Sequence, residues 1–151
     1  INKLLESAVT ISQNEWKQVA NLELELEQEL PSVTAFPGAL GQAFLNLIVN
    51  AAQAMGKSIA DEQARGALRI SSQRDKDWVF VQIEDSGPGI SPEIIDKIFD
   101  PFFTTKDVDQ GSGQGLALVH STIVDQHAGS VSVASKVDHG SIFKVGIPIN
   151  G

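Results

Sequence analysis

The chain has 151 residues, 42% of them hydrophobic and 20% charged, a composition ordinary for one globular domain with a sizeable core. Nineteen acidic residues against eleven basic ones give a net charge of -8, which argues against binding to nucleic acid or to an anionic membrane surface. Without cysteine the chain has neither a disulfide framework nor a thiolate site, and its three histidines lack the spacing of a zinc site. We therefore expect a single domain over residues 1–151, located in the cytoplasm.

The first predicted elements are a helix and a strand. Ile1, Leu4, Leu5 and Val9 have helical spacing, and we interpret residues 1–13 as the end of a helix that continues from a longer chain. Leu22 and Leu24 alternate with glutamates, which predicts a strand over residues 19–25.

The next element is a helix that lacks charged residues. Residues 37–56 contain no Lys, Arg, Asp or Glu, yet Gln42, Asn46, Asn50 and Gln53 recur at intervals of four, four and three. This spacing places the four amides on one stripe of a helix, here called the amide stripe. Because a solvated face normally carries Lys and Glu, the stripe indicates a polar cavity or a metal-bound ligand, with a buried amide network as the alternative. The predicted packing residues of this helix are Leu40, Phe44, Leu47, Ile48, Ala51 and Met55.

A strand predicted over Trp78–Asp85 ends in the motif DSGPGI. A period of two places Val79, Val81, Ile83 and Asp85 on the same apolar side. A carboxylate on the apolar face needs hydrogen-bond donors, and Gly87 and Gly89 leave the following backbone open to close approach. The pattern therefore indicates a ligand site at Asp85.

The remaining pattern predicts a strand over residues 68–72, a helix over residues 114–127, and two strands over residues 131–135 and 142–147. The last two strands form a hairpin that turns near residues 138–140. Consecutive strands favour antiparallel pairs covered by helices on one face. The expected fold is an α+β two-layer sandwich.

A glycine cluster stands where a loop enters the predicted helix at residue 114. Gly111, Gly113 and Gly115 would expose backbone amides at a helix N-terminus, which attracts phosphate, and Lys106 lies just upstream. A plain flexible turn and a solvated lysine are the alternatives.

Taken in chain order, five motifs resemble those of the catalytic ATP-binding domain of sensor histidine kinases. They are QAFLNLIVNAAQA, DSGPGI, IFDPFFTTK, GSGQGLAL and HGSIFKVGIP. The wider superfamily includes DNA gyrase and the MutL-type repair proteins. The resemblance implies a Bergerat-type fold, in which a mixed, mainly antiparallel sheet has helices on one face and a nucleotide lies between the helices and a lid.

The resemblance also implies the ligands, ATP and Mg2+, and the residues around the base and the metal. Asn50 would bind magnesium through its side-chain oxygen, with the metal bridging the ATP phosphates. Asp85 would accept a hydrogen bond from the adenine amino group. The base would be surrounded further by Gly87, Gly89, Ile90 and Ser141.

At the phosphate end, the resemblance assigns contacts to Lys106 and to the backbone around the second glycine motif. Those backbone positions are Gly111, Gly113, Gln114, Gly115 and Leu116. Gln53 stands where many family members have Lys or Arg, so a phosphate contact there stays open. Residues 100–113 would form a lid that orders only around the γ-phosphate, with Phe102 and Phe103 packing as its anchor.

Asn46 bears on the type of reaction. Superfamily members that hydrolyse ATP have a glutamate general base at this position, and an amide cannot accept a proton at neutral pH. We therefore expect Asn46 to contact phosphate or water, and Asn46 and Lys106 to serve transfer rather than hydrolysis. A nucleotide-dependent switch and a gyrase-like ATPase remain as alternatives, the ATPase being the less favoured.

The resemblance implies partners as well. The phosphate acceptor in the family is a histidine on a separate dimerising helical domain, and residues 1–13 would be the linker from it. His120, His127 and His139 do not match that motif, and surface or capping roles are expected for them. A response regulator would act downstream, the domain itself would contact neither nucleic acid nor membrane, and membrane anchoring of the parent protein stays open.

Overall fold

The computed structural model of the chain describes residues 1–58, 66–99 and 115–150. Within them, one five-stranded sheet has the order β1-β2-β3-β5-β4. Its strands are β1 (Ala20–Leu26), β2 (Gly66–Asp75), β3 (Trp78–Asp85), β4 (Ser130–Lys136) and β5 (Gly140–Pro148). The helices are α1 (Asn2–Ile11), α2 (Gln13–Trp16), α3 (Pro37–Ser58) and α4 (Gly115–His120), with a 3-10 turn at Ile95–Lys97.

The sheet is mixed, as expected. β1 and β2 pair in parallel, whereas the pairs β2–β3, β3–β5 and β4–β5 are antiparallel. Parallel neighbours need a crossover connection, and α3 lies in the chain between β1 and β2. The short turns of the β2–β3 and β4–β5 hairpins require antiparallel pairing within each hairpin.

The core lies between one face of the sheet and the helices. Alternate residues of β3 and β5 are buried there. They form one cluster with the buried sides of α1 and α3 and with residues of the α4 region, which comprises α4 and the segment that follows it as far as His127. The predicted packing residues of α3, Leu40, Phe44, Leu47, Ile48, Ala51 and Met55, are all buried. The interpretation as an α+β two-layer sandwich with helices on one face is therefore confirmed.

The element bounds differ from the sequence predictions in detail. α3 continues through Ser58, two residues beyond the uncharged helix over residues 37–56, and β2 begins at Gly66, two residues before the predicted strand over residues 68–72. The helix predicted over residues 114–127 starts as α4 and changes at Ser121 into a π-helical segment, Ser121–Gln126. Residues 59–65 and 100–114 lie outside the described part of the chain.

The first helix packs as part of the core. Leu5, Ala8 and Val9 of α1 are buried, and the helix contacts α3. Its assignment as a linker stays a prediction. In the described ranges no helix, including the 22-residue α3, combines the length and the apolar character needed to cross a membrane.

Candidate functional site

Asp85 ends β3 with its side chain on the buried face, as the period of two predicts. Only 4% of the residue is exposed. The Gly87 N–H donates to Asp85 Oδ1 over 2.9 Å, and the backbone N–H of Ser141 also donates to this carboxylate. Burial raises the pKa of Asp85, these two donors oppose the shift, and the neighbouring charge of Glu84 adds to it. The ionised form of this buried carboxyl group is therefore stabilised by two backbone hydrogen bonds and destabilised by burial and by the charge of Glu84.

The loop after Asp85 packs directly on α3. A Cβ atom added to Gly87 would lie 2.9 Å from Asp85 Oδ1 and 3.4 Å from backbone atoms of Ala54 and Met55. A side chain at this position would therefore displace the Asp85 carboxylate and tighten the contact with the helix backbone. Gly87 brings the carboxylate next to the C-terminal half of α3, one turn beyond Asn50.

Gly89 brings the same loop against the β4–β5 turn. Its φ is +78°, which favours glycine, and an added Cβ would collide with the Lys136 carbonyl oxygen. The Asp138 N–H donates to Pro88 O over 2.8 Å at the same contact. The close approach predicted at Gly87 and Gly89 is thus made by the protein's own backbone, and contact of these glycines with a base stays a prediction.

Ser141 lies beside Asp85 on the adjacent strand. The register pairs Asp85 with Ser141 and Ser141 with Ser135, so the three side chains follow one another across β3, β5 and β4. The Ile90 N–H donates to Ser135 Oγ over 2.7 Å, and Ser135 Oγ lies 2.9 Å from Ser141 Oγ. The structure therefore brings together the predicted residues Asp85, Ile90 and Ser141.

Ser135 was not predicted as part of the site. A period-two signal was available, because Val131, Val133 and Ser135 alternate with exposed residues of β4, just as Asp85 follows the inward valines of β3. A serine in a strand is too common for this parity alone to single it out.

The amide stripe of α3 is partly buried. Asn46, Asn50 and Gln53 are intermediate in exposure, whereas Gln42 is exposed. Gln42 Nε2 donates to Asn46 Oδ1 over 2.9 Å, so an amide network accounts for this end of the stripe. The half-exposed end at Asn50 and Gln53 lies towards the Gly87 loop and remains the candidate for ligand contact.

The chemistry of Asn50 suits magnesium. Mg2+ prefers oxygen ligands and retains several waters, so one amide oxygen beside the phosphates of a nucleotide is a sufficient protein contribution. Among the described residues no group of three or more His, Cys, Asp or Glu could hold a metal by itself. The residues therefore fit a metal brought in with a polyanionic ligand.

The phosphate side is described only in part. Gly115 begins α4 and is exposed, Leu116 is half-buried against the core, and α4 contacts α3. The predicted contacts Lys106, Gly111, Gly113 and Gln114 lie outside the described residues, as do the lid and its predicted anchors Phe102 and Phe103.

Phe99, the first phenylalanine of IFDPFF, is described and anchored. Its ring meets that of Phe143 edge-on at 6.3 Å between centroids and lies 5.6 Å from that of His120. The described end of this motif is therefore fixed on β5 and α4.

His127 links the start of α3 to the π-helical segment through hydrogen bonds of its ring. It caps the π-helical segment, as expected for one of the histidines, but it is buried. Its Nε2 accepts a hydrogen bond from the Phe36 N–H over 3.0 Å, so Nδ1 carries the proton and donates to Thr122 O over 2.7 Å. Phe36 directly precedes α3, and the link between α3 and the α4 region was not predicted. His120 and His139 are exposed, as expected.

Residues 36–151 match the model of the family described as histidine kinase-, DNA gyrase B-, and HSP90-like ATPases. The chain belongs to this ATPase family. The match covers α3, the Asp85 loop and the last hairpin, and thus every described element of the candidate site.

The similar curated proteins are sensor kinases. The chain is 36% identical over 151 residues to sensor histidine kinase ZraS of Escherichia coli (strain K12), covering 99% of this chain and 30% of that protein. It is 38% identical over 152 residues to signal transduction histidine-protein kinase AtoS of the same strain, covering 99% of this chain and 23% of that protein. The chain therefore spans less than a third of the length of these relatives.

Solved structures give the same assignment for the domain. The catalytic domain of histidine kinase ThkA aligns with a TM-score of 0.83 and 29% identity, covering 99% of this chain and 95% of that one. Full-length ShkA in complex with AMPPNP aligns with a TM-score of 0.80 and 25% identity, covering 98% of this chain and 30% of that one. The predictions of fold and family are confirmed, and this ATPase-family chain is an ATP-binding catalytic domain of the sensor histidine kinase type.

Proposed function

We propose that this domain binds ATP with magnesium and donates the γ-phosphoryl group to a histidine on a separate dimerising helical domain. The observation that carries the proposal is Asp85, the only buried carboxylate among the described residues. It lies beside α3 at the end of the sheet where Ile90 and Ser141 also converge. An isolated buried carboxylate destabilises a fold unless it has a partner, and a ligand that donates hydrogen bonds supplies one.

Adenine fits Asp85 at the base end. Its exocyclic amino group is a donor, whereas guanine has a carbonyl acceptor at the same position. Asp85 would accept from the amino group, with Gly87, Gly89, Ile90 and Ser141 around the base. Binding would thus replace part of the hydration that Asp85 loses on folding.

Asn50 would hold magnesium at the phosphate end. Its neutral oxygen adds no repulsion to the phosphates. When bound, the metal would neutralise part of the phosphate charge during transfer. Gln53 is proposed as a phosphate contact next to it, and Lys106 with the backbone of Gly111, Gly113, Gln114, Gly115 and Leu116 as the contacts of the β- and γ-phosphates.

Asn46 supports transfer over hydrolysis. An amide cannot act as a general base at neutral pH, and Asn46 Oδ1 already accepts a hydrogen bond from Gln42. Water beside the γ-phosphate would thus have no base on α3 at this position. Asn46 would act as a phosphate or water contact, and Lys106 as the cation that offsets developing charge.

The proposal extends to the whole signalling protein. The histidine domain would be the immediate partner, a response regulator would take the phosphoryl group next, and the domain would work in the cytoplasm, where ATP is available.

A single-turnover incubation with γ-labelled ATP, magnesium and the histidine-bearing domain of the parent kinase tests the function. We expect label on the partner, and loss of that label with Asp85→Asn. Asp75→Asn is the matched control, because Asp75 is exposed at the opposite end of the same β2–β3 pair.

The other outcomes contradict the proposal in different ways. Label released as free phosphate would make the domain an ATPase. ATP bound without label on either product would make it a nucleotide-dependent switch.

A further inference from the structure

A row of three polar side chains crosses the end of the sheet on its buried side. Asp85 on β3 is paired with Ser141 on β5, which is paired with Ser135 on β4. We call these three residues the polar row. Two of them already belong to the proposed base site, and Ser135 is the third.

Ser135 makes hydrogen bonds in three directions. Its Oγ accepts from the Ile90 N–H over 2.7 Å and donates to the Gly140 carbonyl oxygen over 3.0 Å. The Ser141 hydroxyl lies 2.9 Å away. One hydroxyl thus connects the loop after Asp85, the β4–β5 turn and the polar row.

Either hydroxyl could be the donor in the Ser135–Ser141 hydrogen bond, and its direction follows from where the single Ser135 proton goes. A serine hydroxyl has one proton and two lone pairs. When the Ser135 proton goes to Gly140 O and one lone pair accepts from the Ile90 amide, the remaining lone pair can only accept from Ser141. The Ser141 proton is then used, and Ser141 Oγ keeps only acceptor capacity.

We propose that Ser135 is a positioning residue that fixes the Ser141 hydroxyl as an acceptor and thereby adds to the selection of adenine over guanine. This inference rests on the proposed function. With Ser141 held in this way, the polar row offers acceptors from both Asp85 and Ser141, which suits an amino group and disfavours a carbonyl. Without Ser135, the Ser141 hydroxyl could turn and donate to the guanine carbonyl. Ser135 also holds the Ile90 backbone in place beside the base.

Ser135→Ala tests the proposal through the ratio of the GDP and ADP dissociation constants, measured without magnesium so that the base end dominates. We expect ADP affinity to fall about tenfold and the GDP/ADP ratio to fall by about tenfold. Ser135→Thr keeps the hydroxyl and should retain the wild-type ratio. Ser132→Ala is the matched control, because Ser132 is exposed on the opposite side of the same strand.

Ser141→Ala provides a second measurement that does not depend on the folding of Ser135→Ala. It removes the hydroxyl through which Ser135 acts, so it should lower the GDP/ADP ratio by itself. In the double variant, Ser135→Ala should change the ratio no further. Thermal unfolding of each variant separates altered recognition from loss of fold.

The outcomes that overturn the inference are distinct. If Ser135→Ala weakens the binding of ADP and GDP equally, Ser135 has a purely structural role. If Ser141→Ala leaves the GDP/ADP ratio of dissociation constants unchanged, Ser141 does not select the base. If the wild-type chain prefers ADP to GDP, either of these results overturns this inference and leaves the proposed function standing. A wild-type chain that binds neither nucleotide overturns the proposed function and the inference with it.

Discussion

Asp85 combines two properties that rarely occur together in a side chain kept only for stability. It is buried, and its hydrogen bonds come from backbone N–H groups without a cation among the described residues beside it. Buried carboxylates that stabilise a fold are normally paired with Lys or Arg. The arrangement is instead typical of a ligand-binding carboxylate, which is desolvated in the free protein and gains a hydrogen-bond donor when the ligand binds.

Asp85→Asn should remove most of the nucleotide affinity and the preference for adenine over guanine. The amide presents a donor towards the exocyclic position, and the charge-assisted hydrogen bond is lost. The expected change is roughly 1.5 to 3 kcal/mol, or about ten- to hundredfold in dissociation constant. Titration with fluorescent ATP and GTP analogues measures both quantities. An unchanged dissociation constant in a folded variant would remove Asp85 from the site.

The pH dependence of binding should follow the raised pKa of Asp85. Adenine needs the ionised carboxylate, so the affinity gap between wild type and Asp85→Asn should narrow as the pH falls through this pKa, which lies above the ordinary value of 3.8. ADP titrations from neutral pH down to the lowest pH at which both proteins stay folded measure the affinity gap. A gap that does not narrow anywhere in this range would show that the ionised form of Asp85 does not bind the base.

The contribution of Asp85 to the stability of the free protein should fall as the pH rises, whereas its contribution to ADP affinity should rise. Because the pKa of Asp85 is higher in the folded state, its contribution to stability is fully present below 3.8 and is lost as the pH rises through the raised value. Denaturant unfolding of wild type against Asp85→Asn isolates this contribution from that of the other carboxylates.

At the scale of elements, α3 serves both the core and the site. Its apolar side is buried in the core cluster, and its amide stripe reaches the Gly87 loop at the C-terminal end. The base end and the phosphate end would therefore be set by one rigid helix, which keeps the distance between them constant.

Asn50→Ala should impair binding at the phosphate end of the site and leave the base end intact. The metal-dependent gain in ADP affinity should be lost, whereas weak binding without magnesium should remain, because the base contacts lie on the Asp85 loop and on β5. Calorimetry with ADP, with and without magnesium, measures the gain, and Gln42→Ala, at the exposed end of the same stripe, is the control. An equal metal-dependent gain in Asn50→Ala and wild type would exclude Asn50 as the ligand.

His127→Ala should destabilise the junction between α3 and the α4 region. The substitution leaves the Phe36 N–H and the Thr122 carbonyl without their partner and removes a buried ring that packs edge-on against Phe36. The free energy of unfolding should fall by roughly 2 to 4 kcal/mol. Denaturant unfolding measures the change, with the exposed His139→Ala as control. Comparable stability of the two variants would show that the junction does not depend on His127.

Local patterns explain which parts of these elements were predictable. A helix with an apolar side and a strand of period two are visible within a short window, so α3, β3 and the position of Asp85 followed from the sequence alone. The change of helix type at Ser121 coincides with the β-branched run Thr122, Ile123 and Val124 and ends at the capping His127, a combination that no single period in the sequence reveals. The His127–Phe36 hydrogen bond joins residues 91 positions apart, which no local window can reveal.

At the scale of the whole molecule, the two faces of the sheet carry different residues. The helix-facing side holds the core and the polar row. On the other side, the rings of Trp78 and Phe80 stack at 6.1 Å, and the Lys144 ammonium lies 4.5 Å from the centre of the Phe80 ring. Phe80 also lies against Gly146, where an added Cβ would come within 2.8 Å of its ring. This open-face cluster joins β3 to β5 without contacting the polar row.

Phe80→Ala should therefore reduce stability without changing nucleotide recognition. The loss of partly buried aromatic area and of the cation–π contact with Lys144 should lower the free energy of unfolding by roughly 1 to 3 kcal/mol. The dissociation constant for ADP should stay within about twofold of wild type, because the binding site is unchanged and the unfolded fraction, although larger in the variant, stays small at temperatures well below the transition. Denaturant unfolding and ADP titration of the same samples measure both quantities, and Ser132→Ala on the same open face should change neither. A large loss of ADP affinity in folded Phe80→Ala would contradict the separation, since it would mean that packing on the open face of β3 is transmitted to Asp85 at the end of the strand.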